Sequence, residues 1–215
     1  MLTLVIGDKQ LSSWSLRPWI LLRHLGIPFE EVSLPLDTPR FRAEIGRWSP
    51  ARRVPVLLDG GLPVWDSLAI CEYLNEHVEG AAWPDDPDDR ALARSISAEM
   101  HSGFAALRSQ WSMRAADTGL DQPLDVAGQA DLARIAAIWS DCRRRFGVAG
   151  PWLFGERYSI ADAMYAPVVL RCHSYGARLS AEALAYYEHS MRDPLLQEWI
   201  RDARAELAAG GRTAE

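Results

Sequence analysis

The feature that most constrains this fold is a change of pattern at residues 79–90, EGAAWPDDPDDR. Two prolines and four aspartates interrupt the apolar periodicity there, as a linker running into the acidic start of a helix would. Before it, strand and helix signals alternate. LTLVIG (2–7) reads as a short buried strand, SLRPWILLRHLG (15–26) as a helix stopped by Gly26 and Pro28, and FEEVSL (29–34) as a strand. TPRFRAEIG (38–46) suits a helix with Pro39 in its first turn. VPVLLDGGLPVWD (54–66) reads as a hairpin about Asp59-Gly60-Gly61, and SLAICEYLNEHV (67–78) as a helix burying Leu68, Ile70, Cys71 and Leu74. The order is β-α-β-α-β-β-α. After the break only helical periodicity remains. Leu92, Ile96, Met100, Phe104, Leu107 and Trp111 mark one face of 91–116. Leu132, Ile135, Trp139, Cys142 and Phe146 do so in 125–147, and Leu195, Leu196, Trp199, Ile200, Ala203 and Leu207 in 195–207. Ser159 and Asp162 have capping-box spacing at the start of a further helix.

Composition excludes several functional classes. Net charge is −6 over 215 residues, and the longest basic run is Arg143-Arg144-Arg145, so no nucleic-acid face is evident. No apolar run is long enough to span a membrane. The N-terminus lacks the charged region and cleavage site of a secretory signal. Cys71, Cys142 and Cys172 form no C-x-x-C pair, which predicts buried free thiols, no metal site and a cytoplasmic location.

Four local signals occur in order over nearly the whole chain: the serine cluster of SSWSLRPW, Val54-Pro55 before the hairpin, Asp66-Ser67 opening a helix, and the Ser159–Asp162 box. Together they resemble the cytosolic glutathione transferases. The resemblance implies an α/β thioredoxin-like domain (1–79), a linker (80–90) and an all-α helical domain (91–215). SSWSLRPW is most similar to the S-S-C-x-x-R signature of the zeta class, which includes glutathione-dependent cis–trans isomerases. Trp14 stands where that signature has cysteine.

The residues suit this chemistry. A helix start presents unpaired N–H groups and partial positive charge, which favour a thiolate. This chain has no cysteine before Cys71, so the sulfur must come from outside, as glutathione supplies it; with no tyrosine before Tyr73 the tyrosine-using version of the family is excluded there, and a serine hydroxyl can donate to the thiolate. Ser12 and Ser13 are the catalytic candidates, and Ser15 is read as a cap. The zeta-like spacing favours Ser12, five before Arg17; other serine-type transferases place theirs four before, at Ser13. The serines can equally serve only as caps. The resemblance implies a cis bond at Val54-Pro55, leaving Val54 to pair with glutathione's cysteinyl backbone as an added strand does. Ser67 suits the γ-glutamyl carboxylate and Asp66 its ammonium, with a simple N-cap as the alternative; Arg53 either adds charge near the glycyl carboxylate or is an exposed arginine. Arg108 can reach into the interdomain cleft. Trp111 and Met113 are candidates for the second-substrate pocket, with core packing as the alternative. His24, His101 and His173 receive no role.

The expected function is conjugation of glutathione, the co-substrate, to a small-molecule electrophile by a homodimeric, cytoplasmic enzyme without metal, nucleic-acid or membrane partners. The alternatives are a glutathione-dependent isomerase (maleylacetoacetate isomerase-like), a peroxidase, or a non-catalytic glutathione-binding module.

Overall fold

β1 (Leu2–Ile6) is the strand about which the first half is built. It pairs in parallel with β2 (Phe29–Ser33) and antiparallel with β3 (Val56–Asp59), which pairs antiparallel with β4 (Leu62–Val64). The sheet order is therefore β2-β1-β3-β4. A parallel neighbour requires a crossover, and α1 (Ser13–His24) provides it. Alternation along β1 divides its side chains between two cores. Leu2, Leu4 and Ile6 join Leu16 and Ile20 of α1, whereas Val5 packs with Leu34, Val56 and Ile45 of α2 (Pro39–Trp48). A two-residue loop joins β3 to β4, with Gly60 at φ +58° as the turn requires. α3 (Ser67–His77) then packs on α1.

The computed structural model describes residues 1–211. The expected helical domain's last four residues, 212–215, lie outside them. The described remainder is helical: α4 (Pro87–Ser102), α5 (Ala105–Gln110), α6 (Val126–Phe146), α7 (Ile160–Tyr175), α8 (Ala181–Arg192) and α9 (Pro194–Ala208). α7 is buried along almost its whole length and packs against α1, α4 and α8. Its start is held by the expected box. Asp162 accepts from the Ser159 N–H (2.9 Å), the Ser159 hydroxyl (2.7 Å) and the Leu153 N–H (3.0 Å). No helix among the described residues is long and apolar enough to cross a membrane.

Three details depart from expectation. α1 starts at Ser13, two residues early, because a tight turn with Ser12 N–H on the Asp8 carbonyl (2.8 Å) leads directly into it. The single helix expected over 91–116 is two. α4 begins four residues early, capped by Asp86, and ends at Gly103, and Phe104 adopts left-handed backbone (φ 57°) before α5. The apolar spacing continues across this break, so periodicity could not reveal it. α8 was not singled out in the sequence. Its buried residues, Ala183, Tyr186 and Ser190, make a face too weakly apolar to read.

Candidate active site

The two segments that flank the hairpin meet at the outer ends of β3 and β4. Val54-Pro55, entering β3, is cis, and so is Trp65-Asp66, leaving β4. Between them lies a cavity of about 420 Å³. Arg53, Val54 and Pro55 form one wall, and Trp65, Asp66 and Ser67 another. Trp14 of α1 and Arg108 of α5 close it from the helical side. Among the described residues, no turn or loop bond takes up the Val54 amide, which leaves its N–H open to a ligand.

The start of α3 supplies polarity. Asp66 is the N-cap: its Oδ1 accepts from the Leu68 N–H (3.0 Å) and the Ala69 N–H (3.3 Å). Its Oδ2 is 2.8 Å from His101 Nε2 on α4. Ser67 is fully buried, and its hydroxyl accepts from Arg17 Nη1 at 3.5 Å. An anion at Ser67 would therefore meet a helix N-terminus backed by a guanidinium.

The two candidate serines differ sharply. Ser12 is buried, and its hydroxyl lies 2.6 Å from Ser15 Oγ, which also accepts the Gly7 N–H at 3.1 Å. Ser12 lines neither cavity of the cleft. Ser13 is half-buried and lines a second, more open cavity of about 470 Å³ with Leu11, Ser112, Met113 and Arg171. Trp14 and Arg108 line both cavities, so the two adjoin. Ser12's hydroxyl thus faces Ser15 inside the protein, whereas Ser13 is the serine of the pair that a cavity reaches. Ser15, read as a cap, instead braces the loop after β1.

Trp111 is not brought to either cavity. It is 5% exposed, stacks on Tyr175 with ring centroids 5.1 Å apart, and donates its indole N–H to the Gln122 carbonyl. It packs in the core, whereas Met113 does line the second cavity. A larger cavity, about 580 Å³, lies among α1, β2 and α9 and contains none of the candidate residues. Its buried Lys9 is already paired with Asp202 (2.6 Å) and Glu31 (3.1 Å).

Four site residues were missed or left without a role. His101 holds Asp66 and meets Trp14 edge-on at 5.3 Å. Trp14 carries the guanidinium of Arg17 at 4.3 Å from its ring centroid and that of Arg108 at 4.6 Å. Burial, reinforced by Arg171 and Arg108, pushes the Arg17 pKa down to about 9, so it remains charged at neutral pH. Arg171 is buried on α7 at the second cavity. Only Arg17 and Trp14 had a local signal, through the signature containing them.

Cys71, Cys142 and Cys172 are buried and free. Among the described residues no three His, Cys, Asp or Glu side chains gather as a metal site would require.

The glutathione S-transferase N-terminal domain model matches residues 11–77, and the C-terminal domain model residues 90–202. Maleylacetoacetate isomerase of Rattus norvegicus is 30% identical over 173 residues, covering 79% of this chain and 78% of the rat protein. A glutathione transferase homolog from Burkholderia gl BGR1, solved with bound glutathione, superposes with a TM-score of 0.70 at 27% identity, covering 95% of this chain and 98% of that one. A diazinon-metabolizing glutathione S-transferase of the silkworm Bombyx mori superposes with a TM-score of 0.73 at 18% identity, covering 96% and 99%, and shares the fold. With both domain models matched in order, the chain belongs to the glutathione S-transferase family and is a glutathione transferase enzyme.

Proposed function

We propose that the 420 Å³ cavity seats glutathione and that Ser13 activates its thiol for attack on a small electrophile held in the adjoining cavity. The observation that carries this reading is the convergence of Arg53, Val54–cis-Pro55 and Asp66-Ser67 on one cavity next to Ser13. In this reading Arg53 meets the glycyl carboxylate, Val54 pairs with the cysteinyl backbone, and the Ser67 N–H and hydroxyl take the γ-glutamyl carboxylate. Asp66 Oδ2 takes the ammonium, sharing it with His101. The sulfur then lies towards the start of α1, where helix-end N–H groups and the Ser13 hydroxyl stabilise the thiolate. Titration calorimetry with glutathione, after treatment with a chelator, tests the seat. Saturable binding is expected, and its absence at tens of millimolar refutes it.

A glutathione-dependent isomerase is the second reading, favoured by the 30% identity to the rat maleylacetoacetate isomerase. Trp14 in place of the signature cysteine weighs against it. Turnover of a cis-configured diacid without net consumption of glutathione would select it over conjugation.

We further propose that residues 80–90 link the two domains, and that the enzyme is a cytoplasmic homodimer. Family membership supports the dimer, as do two exposed apolar side chains at the hairpin, Leu62 and Trp65, 53% and 45% exposed. Sedimentation should give twice the 24.0 kDa chain mass, and a monomer at micromolar concentration refutes it.

A further inference from the structure

A lysine is seldom buried unless it is paired, and Lys9 is only 5% exposed in the loop that leads from β1 to Ser13. Four contacts from α9 converge on this one residue. Asp202 Oδ2 accepts from its Nζ at 2.6 Å, and Glu206 Oε2 accepts its backbone N–H at 2.7 Å. Trp199 donates its indole N–H to the Lys9 carbonyl at 2.8 Å, and its ring centroid lies 5.4 Å from the ammonium. Glu31 of β2 is a second carboxylate on Nζ, at 3.1 Å. Trp199, Asp202 and Glu206 recur at helical spacing, so one face of α9 takes the N–H, the carbonyl and the side chain of a single loop residue. Burial pushes the Glu206 carboxyl above its ordinary range, and the N–H groups of Lys9 and Gln10 oppose that rise.

The neighbouring residues are held as firmly. Gln10 is bonded by the segment after α5: its carbonyl accepts from the Ala115 N–H (3.1 Å), its Oε1 from the Ala116 N–H (2.7 Å), and its Nε2 donates to Asp117 (3.0 Å). Asp8 accepts the Leu36 N–H on its carboxylate at 2.7 Å, and its carbonyl accepts the N–H groups of Leu11 (3.1 Å) and Ser12 (2.8 Å). The Ser13 N–H then bonds to the Leu11 carbonyl at 3.1 Å. This short bonded turn has little slack, so a displacement at Lys9 passes on to Ser13. A hydrogen bond to a sulfur anion needs its donor placed to within about half an ångström.

We infer that Lys9 is a positioning residue for the Ser13 hydroxyl, and that α9 supplies the hold through Glu206 and Asp202. The inference rests on the assignment of Ser13 proposed above and extends it to residues that line neither the glutathione seat nor the cavity beside it. The hold acts by fixing the path of the backbone, not by the charge of Glu206 on the thiolate, and the two effects are separable.

Glu206→Ala removes the acceptor of the Lys9 N–H. Glu206→Gln removes the same charge but keeps an amide oxygen to accept that N–H. The readout is the ultraviolet titration of bound glutathione's thiolate. Its pKa should rise by about half to one unit in Glu206→Ala and stay near the wild-type value in Glu206→Gln. In the double variant Ser13→Ala/Glu206→Ala, the second change should add nothing to the first, because the hydroxyl it positions is gone. Should Glu206→Ala fail to fold, Asp202→Ala takes its place in the same cycle, since that side chain is 43% exposed and its loss frees the Lys9 ammonium from α9. Equal shifts in Glu206→Ala and Glu206→Gln would show a charge effect and overturn the inference. A shift that adds in full to that of Ser13→Ala would show an action not routed through Ser13 and overturn it as well. No shift overturns it and leaves the Ser13 assignment standing. A titration that Ser13→Ala itself leaves in place overturns that assignment and this inference together.

Discussion

Replacing Ser13 by Ala should raise the pKa of bound glutathione's thiol, and replacing Ser12 should not. Ser13 is the first residue of α1, half-buried at the second cavity, and none of its side-chain hydrogen bonds is used within the described residues. Its hydroxyl is therefore available to a thiolate. A hydrogen bond to a charged group contributes about 1.5–3 kcal/mol. One pKa unit corresponds to about 1.4 kcal/mol, so the bond lowers a thiol near 8.5 by about one to two units. Without it, the rate at pH 7 should fall roughly eight- to twenty-five-fold, because the thiolate fraction falls from between about a quarter and three quarters to about 3%. Ser12 is bonded to Ser15, which keeps the Gly7 N–H when Ser12 is removed. Ser12→Ala should cost about 1 kcal/mol of stability and leave the titration in place. The assay follows ultraviolet thiolate absorbance of bound glutathione against pH in both variants, with urea unfolding as control. A titration moved by Ser12→Ala and not by Ser13→Ala refutes the reasoning. A titration moved by neither assigns activation to the backbone N–H groups of α1.

Three other outcomes follow from named contacts. Asp66→Ala removes the cap of α3 and the partner of His101, so glutathione affinity should fall at least about tenfold and stability by about 1 kcal/mol, read by calorimetry and urea unfolding; unchanged affinity would remove Asp66 from the site. Asp162→Ala leaves the buried Leu153 and Ser159 N–H groups without their acceptor, at a cost of about 3 kcal/mol or more in urea unfolding, and a loss below about 1 kcal/mol contradicts this. Burial pushes the Cys142 and Cys172 thiols up to about 12 and Cys71 well above the ordinary range, so a thiol reagent at mildly alkaline pH should label none of them before unfolding; rapid labelling of the native protein would show that the burial is wrong.

Sequence by itself determined the order of the first seven elements, the hairpin turn and the box at the start of α7. Each depends on neighbours a few residues apart, where periodicity, Gly60 or a Ser-to-Asp spacing acts directly on the backbone. It also brought Arg53, Val54, Pro55, Asp66 and Ser67 forward as a set, through motifs whose residues stand side by side. Tertiary structure decided the rest. Ser12 and Ser13 are adjacent, and only the path of the chain out of β1 sets which hydroxyl turns into the core and which into the cleft. The break at Gly103-Phe104 leaves an apolar stripe unbroken, so the stripe could not report it. His101 reaches Asp66 across thirty-five positions, and Arg171 joins Arg17 and Arg108 from three different helices. Such groups acquire meaning only when packing removes water and brings charges within range of one another, because burial and charge proximity are properties of the assembled core.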